Sequence, residues 1–273
     1  MAIVAAIQMN STSNVEENVQ RASYFIAQAA QKGARLAVLP ENFAHLGLTP
    51  DQTLKIAEED GQGFIQAALK KVAKQNHIWV VGGTIPIKSP VKNKVFSSCL
   101  VWDNQGNCVK RYDKIHLFDV IVAEKEPYRE SLLITPGNEI QVVNSTVGKI
   151  GLAICYDLRF PELFRKLMLQ GAQILVLPSA FTVPTGKAHW ETLIRARAIE
   201  NLCYVIASAE VGSRANGTKT YGHSMIVDPW GEIIASLPEG EGFITATIDL
   251  KKLNDIRQQF PALTHIKIQE GNS

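Results

Sequence analysis

The chain has 273 residues, 46% of them hydrophobic and 20% charged, with a net charge of +2. This is ordinary globular composition and enough chain to bury a sizeable core. The small net charge, without a basic run, argues against nucleic acid or an anionic membrane as the main partner, and no apolar run reaches the ~18 residues of a membrane span.

The first segment, AIVAAIQ at 2–8, reads as a short apolar strand. The opening MAIVAAIQMN has no basic n-region and is not read as a signal peptide. Asn14 can cap a helix over 15–31, and Gly33 follows its end. RLAVL at 35–39 is the next strand, closed by Pro40 and followed by Glu41. AKQNHIWVVGGTI from residue 73 carries a further helix end and strand, and VWDNQG at 101–106 reads as a tight hairpin turn.

The same order then repeats. KIGLAIC at 149–155 is a strand, and PELFRKLMLQ at 161–170 is a helix whose Pro161 and Glu162 suit a first turn. QILVL at 173–177 is a strand closed by Pro178, and IVDPWG at 226–231 is a second hairpin turn. GARLAVLPENF at 33–43 and GAQILVLPSAF at 171–181 share six of eleven letters. Runs such as LAVL and ILVL suit strands buried on both faces. The expected architecture is α/β, with two similar halves, two facing sheets and helices outside. No linker separates the halves, so residues 1–262 form one expected domain, and 263–273 a tail.

Cys155 ends a strand before a turn and a helix, where helix N–H groups favour a thiolate. Glu41 sits at the same kind of strand edge, and burial would make it a workable base. Lys114, in VKRYDKIHLFD, could hold the oxygen of a tetrahedral intermediate. Glu130, in YRES, could orient it or add a second carboxylate. Taken singly, each residue also has a bland reading: a buried thiol, a loop carboxylate, a surface lysine. The six histidines sit in no protease signature, and there is no G-x-S-x-G elbow. GQGF at 61–64 is no dinucleotide fingerprint, and no Walker motif or metal-ligand cluster occurs, so neither cofactor nor metal is expected. The cysteines at 99, 108, 155 and 203 fit no zinc spacing. So few in so long a chain point to free thiols in a reducing, cytoplasmic compartment.

Together LPENF, YDKIHLFD, YRES and GLAICYDLRFPEL resemble the nitrilase superfamily of carbon–nitrogen hydrolases, in the family's order Glu, Lys, Glu, Cys. The resemblance runs over nearly the whole chain. It implies a four-layer α-β-β-α sandwich that pairs through its helices into a homodimer. It implies amide hydrolysis through a cysteine thioester, with Cys155 as nucleophile, Glu41 as base, Lys114 and the backbone N–H of Tyr156 at the oxyanion, and Glu130 beside Lys114. PSAFTVPTGK and YGHSMIVDPWG resemble the branch that acts on deaminated glutathione and, as the alternative, on α-ketoglutaramate. A substrate of either kind carries carboxylates. Arg159 and Lys187 are the candidate cations for them, either of which could instead serve a structural ion pair. Ser179, Ala180 and Phe181 would line the substrate side. A non-catalytic binding protein on the same fold is the remaining reading, and the intact four residues argue against it.

Overall fold

The computed structural model describes residues 1–122, 128–214, 217 and 219–268. In chain order the strands are β1 (Ala2–Gln8), β2 (Ala34–Val38), β3 (Trp79–Val81), β4 (Ile85–Lys88), β5 (Val95–Trp102), β6 (Cys108–Asp113), β7 (Asp119–Val120), β8 (Tyr128–Arg129), β9 (Val142–Ser145), β10 (Gly148–Leu152), β11 (Ile174–Ser179), β12 (Tyr204–Ala209), β13 (Val211–Ser213), β14 (Lys219–Tyr221), β15 (Ser224–Val227), β16 (Ile233–Leu237) and β17 (Gly242–Ile248). The α-helices among the described residues are α1 (Val15–Gln31), α2 (Pro50–Ile56), α3 (Phe64–Gln75), α4 (Pro161–Leu169), α5 (Val183–Asn201) and α6 (Leu250–Gln259).

The repeat read from the sequence becomes two matching sheets. The first runs β17-β1-β2-β3-β5, with β4 and β6 both paired to β5; the second runs β9-β10-β11-β12-β15-β16. In each, three parallel strands are flanked by antiparallel ones. The closing strand β17 returns from the second half to pair with β1, which ties the halves into one body.

Helix α1 starts where the Asn14 side chain accepts the Glu17 N–H at 3.1 Å, and it buries Val19, Ala22, Ile26 and Ala29 against the first sheet. Alternate residues of β1 divide between two cores. Ala5 and Ile7 face α1 and α3, while Val4 and Ala6 face the second sheet. Phe164, Leu167, Trp190 and Ile194 of α4 and α5 cover that sheet from outside. The layers are therefore helix, sheet, sheet, helix. Between the sheets, Ser208 Oγ reaches the carbonyls of Val38 (2.9 Å) and Ile7, and the Gln8 side chain accepts from Ser224 N and Oγ at 2.8 Å. These buried polar contacts set how the sheets align.

Both expected hairpin turns form, at Asp103–Asn107 and Asp228–Glu232. Pro178, expected to end its strand, lies inside β11. The neighbour β10 pairs only as far as Val176, so a missing N–H at 178 breaks no ladder bond on that side. Beyond the expected boundary at 262 the chain stays attached: Leu263 and Ile266 pack on the core. Residues 269–273 of the expected tail lie outside the described residues.

Candidate active site

Glu41, Lys114, Glu130 and Cys155 come from four separate segments and line one cavity of about 660 Å³. Glu41 follows β2. Gly83, at φ 57°, lies so close behind it that a Cβ there would sit 2.1 Å from the Pro40 carbonyl oxygen. Thr84 Oγ1 accepts the Asn42 N–H at 2.8 Å and holds the same loop. Lys114 follows β6, its N–H donating to Ser97 O and its carbonyl accepting from Gly137 N. Glu130 opens a 3-10 turn after β8, where Phe118 N–H donates to its Oε2 at 2.6 Å. Cys155 opens a 3-10 turn, Cys155–Arg159, two extended residues past the end of β10. Its φ of 46° is unusual for a residue with a side chain, and it turns the thiol out of the sheet edge into the cavity.

Lys114 is 1% exposed. Its Nζ donates to Glu41 Oε1 at 2.7 Å and to both oxygens of Glu130 at 2.9 Å. Burial disfavours the ammonium, but Glu130 and Glu41 outweigh burial and hold its pKa well above the ordinary lysine value. Burial pushes the Glu130 carboxyl above the ordinary range; Lys114 pulls it down and Glu41 pushes it up. Burial also pushes the Cys155 thiol well up, Glu41 adds to that, and Lys114 opposes it. The thiol therefore rests protonated, on the same cavity as the Glu41 carboxylate. No histidine lines the cavity among the described residues; the carboxylate of Glu41 and the Cys155 thiol both do.

Tyr156, Arg159, Ala180 and Phe181 line the cavity. The Arg159 guanidinium lies over the rings of Tyr156 (5.7 Å) and Phe181 (5.4 Å), and its Nη1 donates to His189 Nδ1 at 3.2 Å. Ser179 and Lys187 are not brought to the cavity. Ser179 is the last residue of β11, fully buried, with Oγ donating to Leu177 O. Lys187 lies on the solvent side of α5 with Ala188 and His189. Two cations that the sequence reading passed over, Arg129 and Lys219, line the cavity instead. Arg129 sits beside Glu130 in YRES, which was a usable signal; Lys219 opens β14, within the segment VGSRANGTKTYG, of which 215, 216 and 218 are outside the described residues. All four cysteines are free thiols. Cys99 is buried within β5, and Cys203 directly precedes β12.

A doubly wrapped α/β sandwich that sets a buried thiol, a carboxylate and an ammonium around one cavity has the parts for acyl transfer through sulfur. Residues 3–258 match the carbon–nitrogen hydrolase family model, and the chain belongs to that family of hydrolases acting on carbon–nitrogen bonds. It is 41% identical over 269 residues to the deaminated glutathione amidase of Mus musculus, covering 97% of this chain and 83% of that one. It is also 41% identical to the deaminated glutathione amidase of Synechocystis sp. (strain PCC 6803 / GT-S), covering 96% and 97%. The structure resembles the C. elegans NitFhit protein (TM-score 0.90, 38% identity), covering 97% of this chain and 65% of that one. It also resembles Saccharomyces cerevisiae Nit3, a member of branch 10 of the nitrilase superfamily (TM-score 0.85, 33% identity, covering 95% and 94%).

Proposed function

We propose that the enzyme hydrolyses the primary amide of deaminated glutathione to acid and ammonia, with Cys155 as nucleophile. The observation that carries the chemistry is Lys114 Nζ held between Glu41 and Glu130 on the cavity that Cys155 lines. The Cys155 proton passes to Glu41 as sulfur adds to the amide carbon. The oxyanion that forms is held by the Lys114 ammonium and the Tyr156 backbone N–H. Glu41 gives its proton to the nitrogen, the carbon–nitrogen bond breaks, and ammonia leaves a thioester. Water, deprotonated by Glu41, adds to the thioester; the carbon–sulfur bond breaks, the thiol regains its proton and the acid departs. Glu130 holds Lys114 throughout.

The substrate reading draws on the relatives' names and on the cavity. At about 660 Å³ it is in the range that encloses tripeptide- or drug-sized molecules, and α-ketoglutaramate would leave much of it unfilled. Arg129, Arg159 and Lys219 suit a substrate bearing carboxylates. Ammonia release from deaminated glutathione and from α-ketoglutaramate, with Cys155→Ala as control, tests both halves. A preference for α-ketoglutaramate would keep the mechanism and replace the substrate. Undiminished turnover by Cys155→Ala would overturn the mechanism.

We further propose a homodimer through the outer helical layer of the second sheet. Ile199 on α5, Trp230 in the β15–β16 turn and Phe260 at the end of α6 are each about half exposed. The Trp230 and Phe260 rings meet at 5.6 Å, and Ile199 lies against Gly231, so the three form one apolar patch. The free thiols suit a reducing cytoplasm.

A further inference from the structure

One carboxylate joins the segment that carries Cys155 to the segment that carries Lys114. Asp157 is fully buried. Its Oδ2 accepts the Ile154 N–H at 2.8 Å and the Tyr112 hydroxyl at 2.7 Å. Its Oδ1 meets the His116 backbone N–H at 3.2 Å and His116 Nδ1 at 2.7 Å. A carboxylate only accepts, so His116 Nδ1 carries the proton. Burial and the neighbouring Asp157 also hold the Tyr112 phenol well above its ordinary range, which keeps it a donor.

The spacing of these partners is what matters. Ile154 directly precedes Cys155. Tyr112 lies two residues before Lys114 and His116 two residues after it. Asp157 therefore grips the backbone beside the thiol with one oxygen and brackets the lysine from both sides. It also closes the turn in which Cys155 holds its left-handed φ, since its own N–H donates to Ile154 O at 2.9 Å. The His116 ring lies flat on Phe160, centroids 3.7 Å apart and planes within 6°, which fixes the far end of the same turn. No other described side chain hydrogen-bonds to both segments so near the two reacting groups.

We propose that Asp157 is a positioning residue for catalysis: it sets the separation of the Cys155 sulfur from Lys114, and so where the oxyanion forms relative to the ammonium. The inference rests on the proposed roles of Cys155 and Lys114. A scaffold that only kept the protein folded would change melting temperature; a positioning residue changes the rate in folded protein.

Asp157→Asn tests it. Whichever way the amide is turned, its NH₂ replaces one acceptor oxygen and confronts two of the four donors. In folded protein kcat should fall about 10²-fold while KM moves less than about threefold, because reacting groups loosened by a fraction of an ångström lose rate rather than ground-state binding. Alkylation of Cys155 by iodoacetamide, followed by mass spectrometry well below the melting temperature, should slow as well. If Asp157→Asn does not fold, Tyr112→Phe and His116→Phe each remove one bond, the second keeping a ring on Phe160; each should lower kcat about tenfold. Folded variants with wild-type kcat and alkylation rate would overturn the proposal. So would activity lost only in proportion to the unfolded fraction. Cys155→Ala measured alongside separates the two levels: if it still turns over, the nucleophile reading fails and this one with it; if it is inactive while Asp157→Asn is unimpaired, only the positioning role falls.

Discussion

At Lys114 two carboxylates and a thiol surround one ammonium, and this excess of acceptors explains the resting state. The thiol cannot ionise cheaply beside Glu41, so it keeps its proton at rest. Alkylation of Cys155 should therefore keep accelerating with pH beyond the ordinary thiol pKa of ~8.5, where glutathione plateaus. A plateau near that value would show that the local field is weaker than the geometry implies. Lys114→Ala should lose ~10²–10³-fold in rate through the missing oxyanion contact. It should also lose about 3–5 kcal/mol of stability, since the buried Glu41 and the partly buried Glu130 remain without their partner. Urea unfolding and steady-state kinetics on the same preparation would separate the two effects. Among substrate-side residues, Ala180 and Phe181 were legible because they follow the strand end. Ser179 was not, because β11 runs one residue past Pro178 and keeps it in the ladder. Lys187 failed on helical phase: Thr185 of the same helix lines the cavity, while Lys187, two residues on, points to solvent.

At the scale of elements, the loop carrying Glu41 is shaped from behind by the β3–β4 connection. Gly83→Ala would drive a methyl group into the Pro40 carbonyl at a backbone angle that disfavours any side chain. We expect kcat to fall at least tenfold and the melting temperature to drop, with fluorescence-detected melting and ammonia release as the measurements. Alanine at Gly61, also at positive φ but with nothing within 4 Å of its Cβ, should leave kcat unchanged. On the substrate side, α5 meets β14 through Gly186, where a Cβ would come 2.2 Å from the Tyr221 ring. The adjacent Thr220 and Lys219 line the cavity, so this packing sets one of its walls.

For the whole molecule, the β13–β14 ribbon is tied to the sandwich by a buried carboxyl. Glu210, at the end of β12, accepts from Ser11 N (2.9 Å) and Oγ (2.6 Å) and from Arg214 Nη2 (2.7 Å). Burial pushes its pKa from 4.5 to about 8, although Ser11 and Arg214 pull it down. A carboxyl raised on folding stabilises the fold fully below its unfolded pKa and loses that contribution as pH rises through the folded one. Melting temperature should thus fall between about pH 5 and 8 in the wild type, and less steeply in Glu210→Gln. Parallel curves would refute this. At the proposed subunit contact, Trp230→Asp should convert a dimer to a monomer on size-exclusion chromatography with light scattering; an unchanged elution mass would move the contact elsewhere.

Local chemistry was enough to read the repeated strand–helix order, both hairpin turns, the α1 cap and the strand-edge positions of Glu41 and Cys155. Those features depend on neighbours within a few positions, where periodicity, turn residues and caps act. The repeat led to the expectation of two facing sheets, but the contacts that align them, such as Ser224 with Gln8, and the return of β17 to β1, such as Ile3 with Thr247, join residues more than two hundred positions apart. The same holds for the site. The residue types of Glu41, Lys114, Glu130 and Cys155 were visible as sequence. That Lys114 would be stripped of water between two carboxylates, and that Asp157 would hold the thiol and the ammonium to one spacing, was decided only when four separate segments closed on one cavity. Burial then made their charges act on one another instead of on solvent.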